Sequence, residues 1–235
     1  QGVVNLQGGS LQLPNGASVS TGGTLETSGA TLELADNLTV SGTWNATGDT
    51  LRLLDNTSLS TTTPVTLETL DLNGANLELA TATTSLTVQN AFTLDNSTLH
   101  TNNGSLTLAS PTEIHSLLDS TGGTLEFQQG GTVSGTVNAQ GSTLKLGGNL
   151  AVPGTLQMHL EATLDADMAS LDLSGGTFEL GGVLPLDQVQ TDNLTKLKLL
   201  EDATVTRNEG FVVGAVDFAE FTLTLGSAAT DLTLE

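Results

Sequence analysis

Apolar residues in this chain come in pairs spaced two apart. Between residues 32 and 46 they fall at Leu32 and Leu34, Leu38 and Val40, then Trp44 and Ala46, with Asn, Asp, Gly, Ser or Thr between the pairs. Successive side chains of a strand point to opposite sides, so a spacing of two puts both members of a pair on one face. Polar stretches containing Gly or Asn separate the pairs and supply residues that tolerate the φ values of a tight turn. Three short strands joined in this way make one coil of a three-sided prism. A single coil cannot bury its own inward residues. Coils must therefore stack at a strand spacing of about 4.8 Å, each strand pairing with its counterparts above and below around a continuous apolar axis.

The pattern repeats along the text. Val40-Ser-Gly-Thr-Trp-Asn-Ala-Thr-Gly48 returns as Val133-Ser-Gly-Thr-Val-Asn-Ala-Gln-Gly141. A Leu-x-Leu type element begins at Leu11, Leu32, Leu51, Leu77, Leu99, Leu125, Leu144 and Leu164, at intervals of 19 to 26 residues. The short intervals read as the bare repeat and the long ones as a repeat with an insertion. Their common phase puts Leu32, Leu51, Leu77, Leu125 and Leu144 in one inward column, Val40 and Val133 in a second, and Trp44 and Val137 in a third. Fold class follows: all-β, a right-handed parallel β-solenoid (β-helix) with three-sided coils of about 19–26 residues, the hand being that of parallel crossovers in general. About nine to eleven coils are expected, a rod of roughly 45 to 55 Å. Residues 1–182 read as a regular array. Residues 183–235 read as a less regular continuation or cap, with Phe178, Phe211, Phe218 and Phe221 widening or closing the core.

Composition supports strand over helix, since Thr and Ser are abundant, Gly reaches 27 residues and strong helix-forming runs are missing. Charge narrows the partners. Asp and Glu number 26 against 5 Lys and Arg, a formal charge of -21, and no basic cluster occurs. Electrostatic binding to nucleic acid or to an anionic membrane is excluded on that balance, and no apolar run approaches a membrane span. With no Cys, no disulfide reports the compartment. The repeat is already under way by Ser10 without a leader, so the chain is expected to be a piece of a longer polypeptide.

The Gly-x-Thr-Leu-x-Leu and Val-Ser-Gly-Thr-x-Asn-Ala-x-Gly rungs resemble the β-solenoid shafts of large secreted bacterial surface proteins, the filamentous-haemagglutinin-type adhesins and autotransporter passengers. The resemblance covers roughly residues 9 to 182. It implies secretion to the extracellular space or the bacterial cell surface, an elongated shaft and a role in adhesion or a surface fibre. It names no receptor on a host or neighbouring cell.

Candidate chemistry is thin. Gln12, Glu33, Arg52, Glu78, His100, Glu126, Lys145 and Asp165 are the outward residues of the repeated element, and stacked they would form one ladder of alternating charge, with Arg52 between Glu33 and Glu78 and Lys145 beside Glu126. A ladder of that kind relieves repulsion and sets register. A carboxylate site for calcium or a sugar is the competing reading. Calcium has no Gly-Gly-x-Gly-x-Asp repeat to support it, and His100, His115 and Glu113 lack a recognised metal spacing. The segment Ala109–Asp119 reads as an insertion projecting from the shaft. No Gly-x-Ser-x-Gly element or triad pattern occurs, Tyr is absent, and the single Trp44 takes an inward slot, so neither catalysis nor sugar stacking is expected. Asn-x-Ser/Thr triplets occur at Asn37, Asn45, Asn56, Asn96, Asn103 and Asn193.

Three function classes remain: the shaft of an adhesin, a subunit of a self-assembling extracellular fibre, and a polysaccharide-active or ice-binding solenoid. Ice binding would need a regular Thr-x-Thr array, and such triplets are scattered, as at Thr61, Thr81 and Thr222. A solenoid end also leaves a row of unpaired backbone groups. Segments Val3–Leu13 and Phe221–Leu234 are therefore expected to stack end to end or to continue into further coils.

Overall fold

In the computed structural model, residues 2–6 and 8–158 are described in full, and beyond them the strand backbone between residues 163 and 234 together with the burial of Leu164 and Leu171. All regular structure among the described residues is β-strand. Thr24–Glu26, Thr31–Leu34 and Leu38–Val40 form one coil. Each pairs in parallel with its counterpart in the next coil, Thr43–Asn45, Thr50–Leu53 and Thr57–Thr61. Along the described chain every strand pairs with the third strand after or before it, which is the topology of a three-sided β-solenoid. The first twenty-four strands, Val3 to Met158, build eight coils, and backbone pairing of the same kind runs on to Leu234. The Phe178, Phe211, Phe218 and Phe221 side chains expected to widen the core lie outside the described residues.

The axis is filled by aligned apolar residues. On one side Leu86, Leu106, Leu125, Leu144 and Leu164 stand in register; on the second, Leu32, Leu51 and Leu70; on the third, Leu77, Leu99, Leu118, Val137 and Leu156. The five residues of the third column are 0% exposed. Burying each such side chain is worth about 1.5–3 kcal/mol over leaving it in water.

This arrangement corrects the single-column assignment. All five Leu residues point inward, but they belong to three columns. Val40 is on the third side and Val133 on the second, while Trp44 is on the first and Val137 on the third. The 26-residue intervals are not insertions. From Leu51 the next residue in its column is Leu70, 19 residues on, and Leu77 lies seven residues further on the next side. Leu99, Leu118 and Leu125 repeat the same step. All three sides require an inward pair and a tight turn, so the same rung sequence fits any of them.

A second correction concerns Ala109–Asp119, which does not project. Thr112–Ile114 and Leu117–Asp119 are strands of the shaft, with Ile114 and Leu118 at 0% exposure.

Corners are where backbone chemistry is most demanding. Asn73, Asn96, Asn102 and Asn103 take φ between 40° and 66°, a region Asn tolerates better than other residues with a side chain. Gly104 and Gly123 occupy stacked corners, and a Cβ on Gly123 would overlap the Gly104 carbonyl oxygen. Hydroxyls line the same edge from inside: Thr101 donates to Ser120 at 3.1 Å, and Ser120 to Ser142 at 3.1 Å.

The third side carries an unbroken eleven-stranded sheet from Ala17–Val19 to Val216–Phe218. The other two are interrupted. Hydrogen-bonded pairing stops between Thr43–Asn45 and Val65–Leu67 on the first side, and between Thr69–Asp71 and Phe92–Leu94 on the second. Over the same stretch the third side slips by two residues, because Leu38 stands opposite Leu59 whereas Leu77 stands opposite Thr57. The shaft is dislocated there, and grooves open beside it.

Candidate functional site

Outward residues form one ladder per side instead of a single ladder. On the second side Gln12, Glu33, Arg52 and Asp71 are in register, so Arg52 lies between Glu33 and Asp71 and not beside Glu78. Arg52 Nε meets Asp71 Oδ2 at 3.2 Å with both side chains over two-fifths exposed, a pair worth at most about 1 kcal/mol. Glu126 and Lys145 are register neighbours on the first side, as their sequence positions suggested. The third side carries Glu78, His100, Asp119 and Asn138 in sequence.

His100 and Asp119 make an outward contact on this ladder. Asp119 Oδ2 lies 2.9 Å from His100 Nδ1, while Asp119 Oδ1 accepts from Asn138 Nδ2 at 2.9 Å and from the Thr121 hydroxyl at 3.1 Å. A carboxylate held by so many donors orients the ring, with Nδ1–H as donor and Nε2 as acceptor in the neutral form. His115 is elsewhere, just past a strand of the second side, 3.5 Å from Glu113 and 2.7 Å from the Ser134 hydroxyl. The two histidines and Glu113 are thus not brought together. Among the described residues no three His, Asp or Glu side chains form a group that could hold a metal.

Next to His100 runs a groove of about 330 Å³, on the corner entering the third side at the dislocation. Its polar lining is Asn37, Asn56, Thr57, Asn76, Glu78 and His100. Each of the three Asn residues immediately precedes a strand, and each side chain caps the next coil. Asn37 Oδ1 accepts from the Ser58 N–H at 2.9 Å, Asn56 Oδ1 from Asn76 N–H at 2.9 Å and Asn76 Oδ1 from Thr98 N–H at 2.8 Å. Glu78 Oε1 accepts from Asn102 Nδ2 at 2.5 Å. These Asn residues were not recognised from sequence as a set, because they occupy a turn, where Asn is expected for its backbone alone.

One buried ionisable group was also missed. Asp49 is 0% exposed at the corner between the first and second sides. Thr27 donates its hydroxyl proton to Asp49 Oδ2 and accepts from Trp44 Nε1 at 2.9 Å, while Asp49 Oδ1 accepts from Ala30 N–H at 3.0 Å. Burial pushes the Asp49 carboxyl above its ordinary value, and the hydrogen bonds from Thr27 and the Ala30 and Gly29 backbone pull it partly back. Its sequence signal is position: the residue before Thr-Leu-x-Leu is Ala30 one coil earlier and Ser142 further along, small and buried where Asp49 carries a charge.

No protein-family model matches the chain, and neither a curated protein nor a solved structure is similar to it. The fold and these local clusters are therefore the whole basis of a functional reading.

Proposed function

We propose that the chain is a non-enzymatic shaft segment of a secreted bacterial cell-surface protein, holding an adhesive region away from the cell as the resembling filamentous-haemagglutinin-type adhesins and autotransporter passengers do. The observation that carries this reading is that every strand pairs in parallel with the third strand before or after it, without a break along the third side, while outward charges engage neighbours in the same ladders. Such a rod transmits length and stiffness along its axis. An acidic exterior keeps neighbouring rods apart.

The test is a whole-coil deletion in the full-length surface protein. Ser105 pairs with Thr124, Thr112 with Gly131 and Leu117 with Thr136, so removing residues 105–123 joins Gly104 to Thr124 and leaves every strand a partner of the same phase. A spacer shortened by one coil, about 4.8 Å, should fold and support adhesion of displaying cells undiminished. Loss of adhesion by a folded deletion variant would overturn the spacer role and place function inside that coil.

A second reading is a self-assembling fibre, in which parallel strand edges of one rod pair with those of another. Electron microscopy of purified chain separates the two: axial filaments support the fibre, and single short rods across a wide salt range exclude it.

A further inference from the structure

The groove at the dislocation has a chemical character that a shaft does not require. Asn37, Asn56, Asn76, Glu78 and His100 each have one polar atom tied to the shaft and another left over. The Oδ1 atoms of Asn37, Asn56 and Asn76 are held by backbone N–H groups of the next coil, and their Nδ2 groups have no protein partner among the described residues. Glu78 is held through Oε1, leaving Oε2, and His100 is held through Nδ1, leaving Nε2. Three amide donors and two acceptors thus belong to side chains that line one open channel spanning consecutive coils. Their orientation is fixed before any ligand arrives, which lowers the entropic cost of binding.

We infer that this groove binds a linear, uncharged glycan lying along the shaft. Vicinal hydroxyls each donate and accept, so they match a lining of interleaved amide donors and carboxylate and imidazole acceptors. A chain of -21 charge with Glu78 in the groove disfavours an anionic polysaccharide or nucleic acid. The groove offers no exposed aromatic or large apolar side chain, which disfavours an apolar peptide anchor. Hydrogen bonding without ring stacking gives weak individual contacts, and strength at a cell surface would come from many copies acting together. This inference deepens the adhesive reading and borrows its surface setting from it.

The test separates the two. Purified chain is titrated with cellohexaose, maltohexaose and laminarihexaose by calorimetry and by NMR of the side-chain amides. Asn56→Asp and Asn76→Asp keep the Oδ1 acceptor that the neighbouring coil needs and remove only the Nδ2 donor. Gln89→Glu adds the same charge at an exposed corner outside the groove. At least one hexaose should bind, with the Asn37, Asn56 and Asn76 amide resonances shifting, and each Asp variant should weaken it by about fivefold to tenfold, the weight of one net hydrogen bond. Gln89→Glu should bind as the parent does. Absence of binding to all three sugars, or equal affinity in Asn56→Asp, Asn76→Asp and parent, would overturn the proposal while leaving the spacer role to the coil deletion. Unchanged circular dichroism of the Asp variants shows that any loss is of binding and not of folding.

Discussion

Replacing Thr27 with Val tests the buried corner at Asp49 without changing side-chain shape. The hydroxyl that is removed does two things at once: it accepts from Trp44 Nε1 and donates to Asp49 Oδ2. Its loss leaves a buried indole N–H unsatisfied, at about 1–3 kcal/mol, and removes a hydrogen bond to a charged acceptor, worth about 1.5–3 kcal/mol. At neutral pH the combined loss should be about 3–5 kcal/mol, reduced if the carboxylate finds water. The sign of the pH dependence follows from the carboxyl's displacement. Burial raises the folded-state pKa of Asp49 above the ordinary 3.8, so through that window the folded chain keeps a proton that the unfolded chain has released. Stability contributed by this group therefore falls as pH rises through the window and is recovered below 3.8. Thr27 holds the pKa down, so Thr27→Val pushes it higher and steepens the fall.

Urea unfolding followed by emission of Trp44, the single Trp, reads this corner directly. The difference between parent and Thr27→Val should be large at neutral pH and shrink to the indole contribution, about 1–3 kcal/mol, once Asp49 is protonated. In an Asp49→Asn background the pH dependence of that difference should vanish. An Asn offers Oδ1 to Ala30 N–H and Nδ2 to the Thr27 oxygen, so the background itself should fold. A loss for Thr27→Val that is the same at both ends of the pH range would refute the argument that the hydroxyl supports a buried charge.

Other substitutions probe other levels of the fold. Leu125→Asp puts an unpaired charge at a position that is 0% exposed and should cost about 3 kcal/mol or more, measured by thermal or urea unfolding. Gly131→Ala places a Cβ at φ +152° against the backbone of Thr112 in the preceding coil, and should cost about 2 kcal/mol or more, with amide exchange rising first in Thr112–Ile114. Arg52→Ala breaks an exposed pair and should change stability by less than about 1 kcal/mol, an effect that salt erases.

Architecture was legible because burial has a period of two and turns have a composition. The pairs Leu32 and Leu34, Leu38 and Val40, and Trp44 and Ala46 are all buried, as their spacing requires. Phase was not legible. Leu-x-Leu marks a side of the prism without saying which side, and a step of seven residues moves the motif to the next one. Reading the 26-residue intervals as insertions therefore merged three columns, placed Arg52 beside Glu78, and made Ala109–Asp119 a loop although its Thr112, Ile114 and Leu118 alternate inward like any other rung.

The same loss of phase hid the groove. Asn37, Asn56 and Asn76 are 19 and 20 residues apart, which the repeat alone reads as three equivalent turns. What sets Asn37 apart is the two-residue slip between Leu38–Val40 and Thr57–Thr61, which places it opposite Ser58, while Asn56 stands opposite Asn76 in regular register. The slip moves Asn37 off the Asn56 amide, so amides in two different registers stand beside one groove. A repeat protein can in this way obtain a binding surface without any distinctive motif, from a dislocation between otherwise ordinary coils. Restoring the register should then remove the surface: deleting Leu59 and Ser60, which shortens the slipped strand by two residues, should bring Asn37 over Asn56 and abolish glycan binding while the shaft still folds. Binding retained by such a folded, re-registered chain would show that the slip is not what opens the groove.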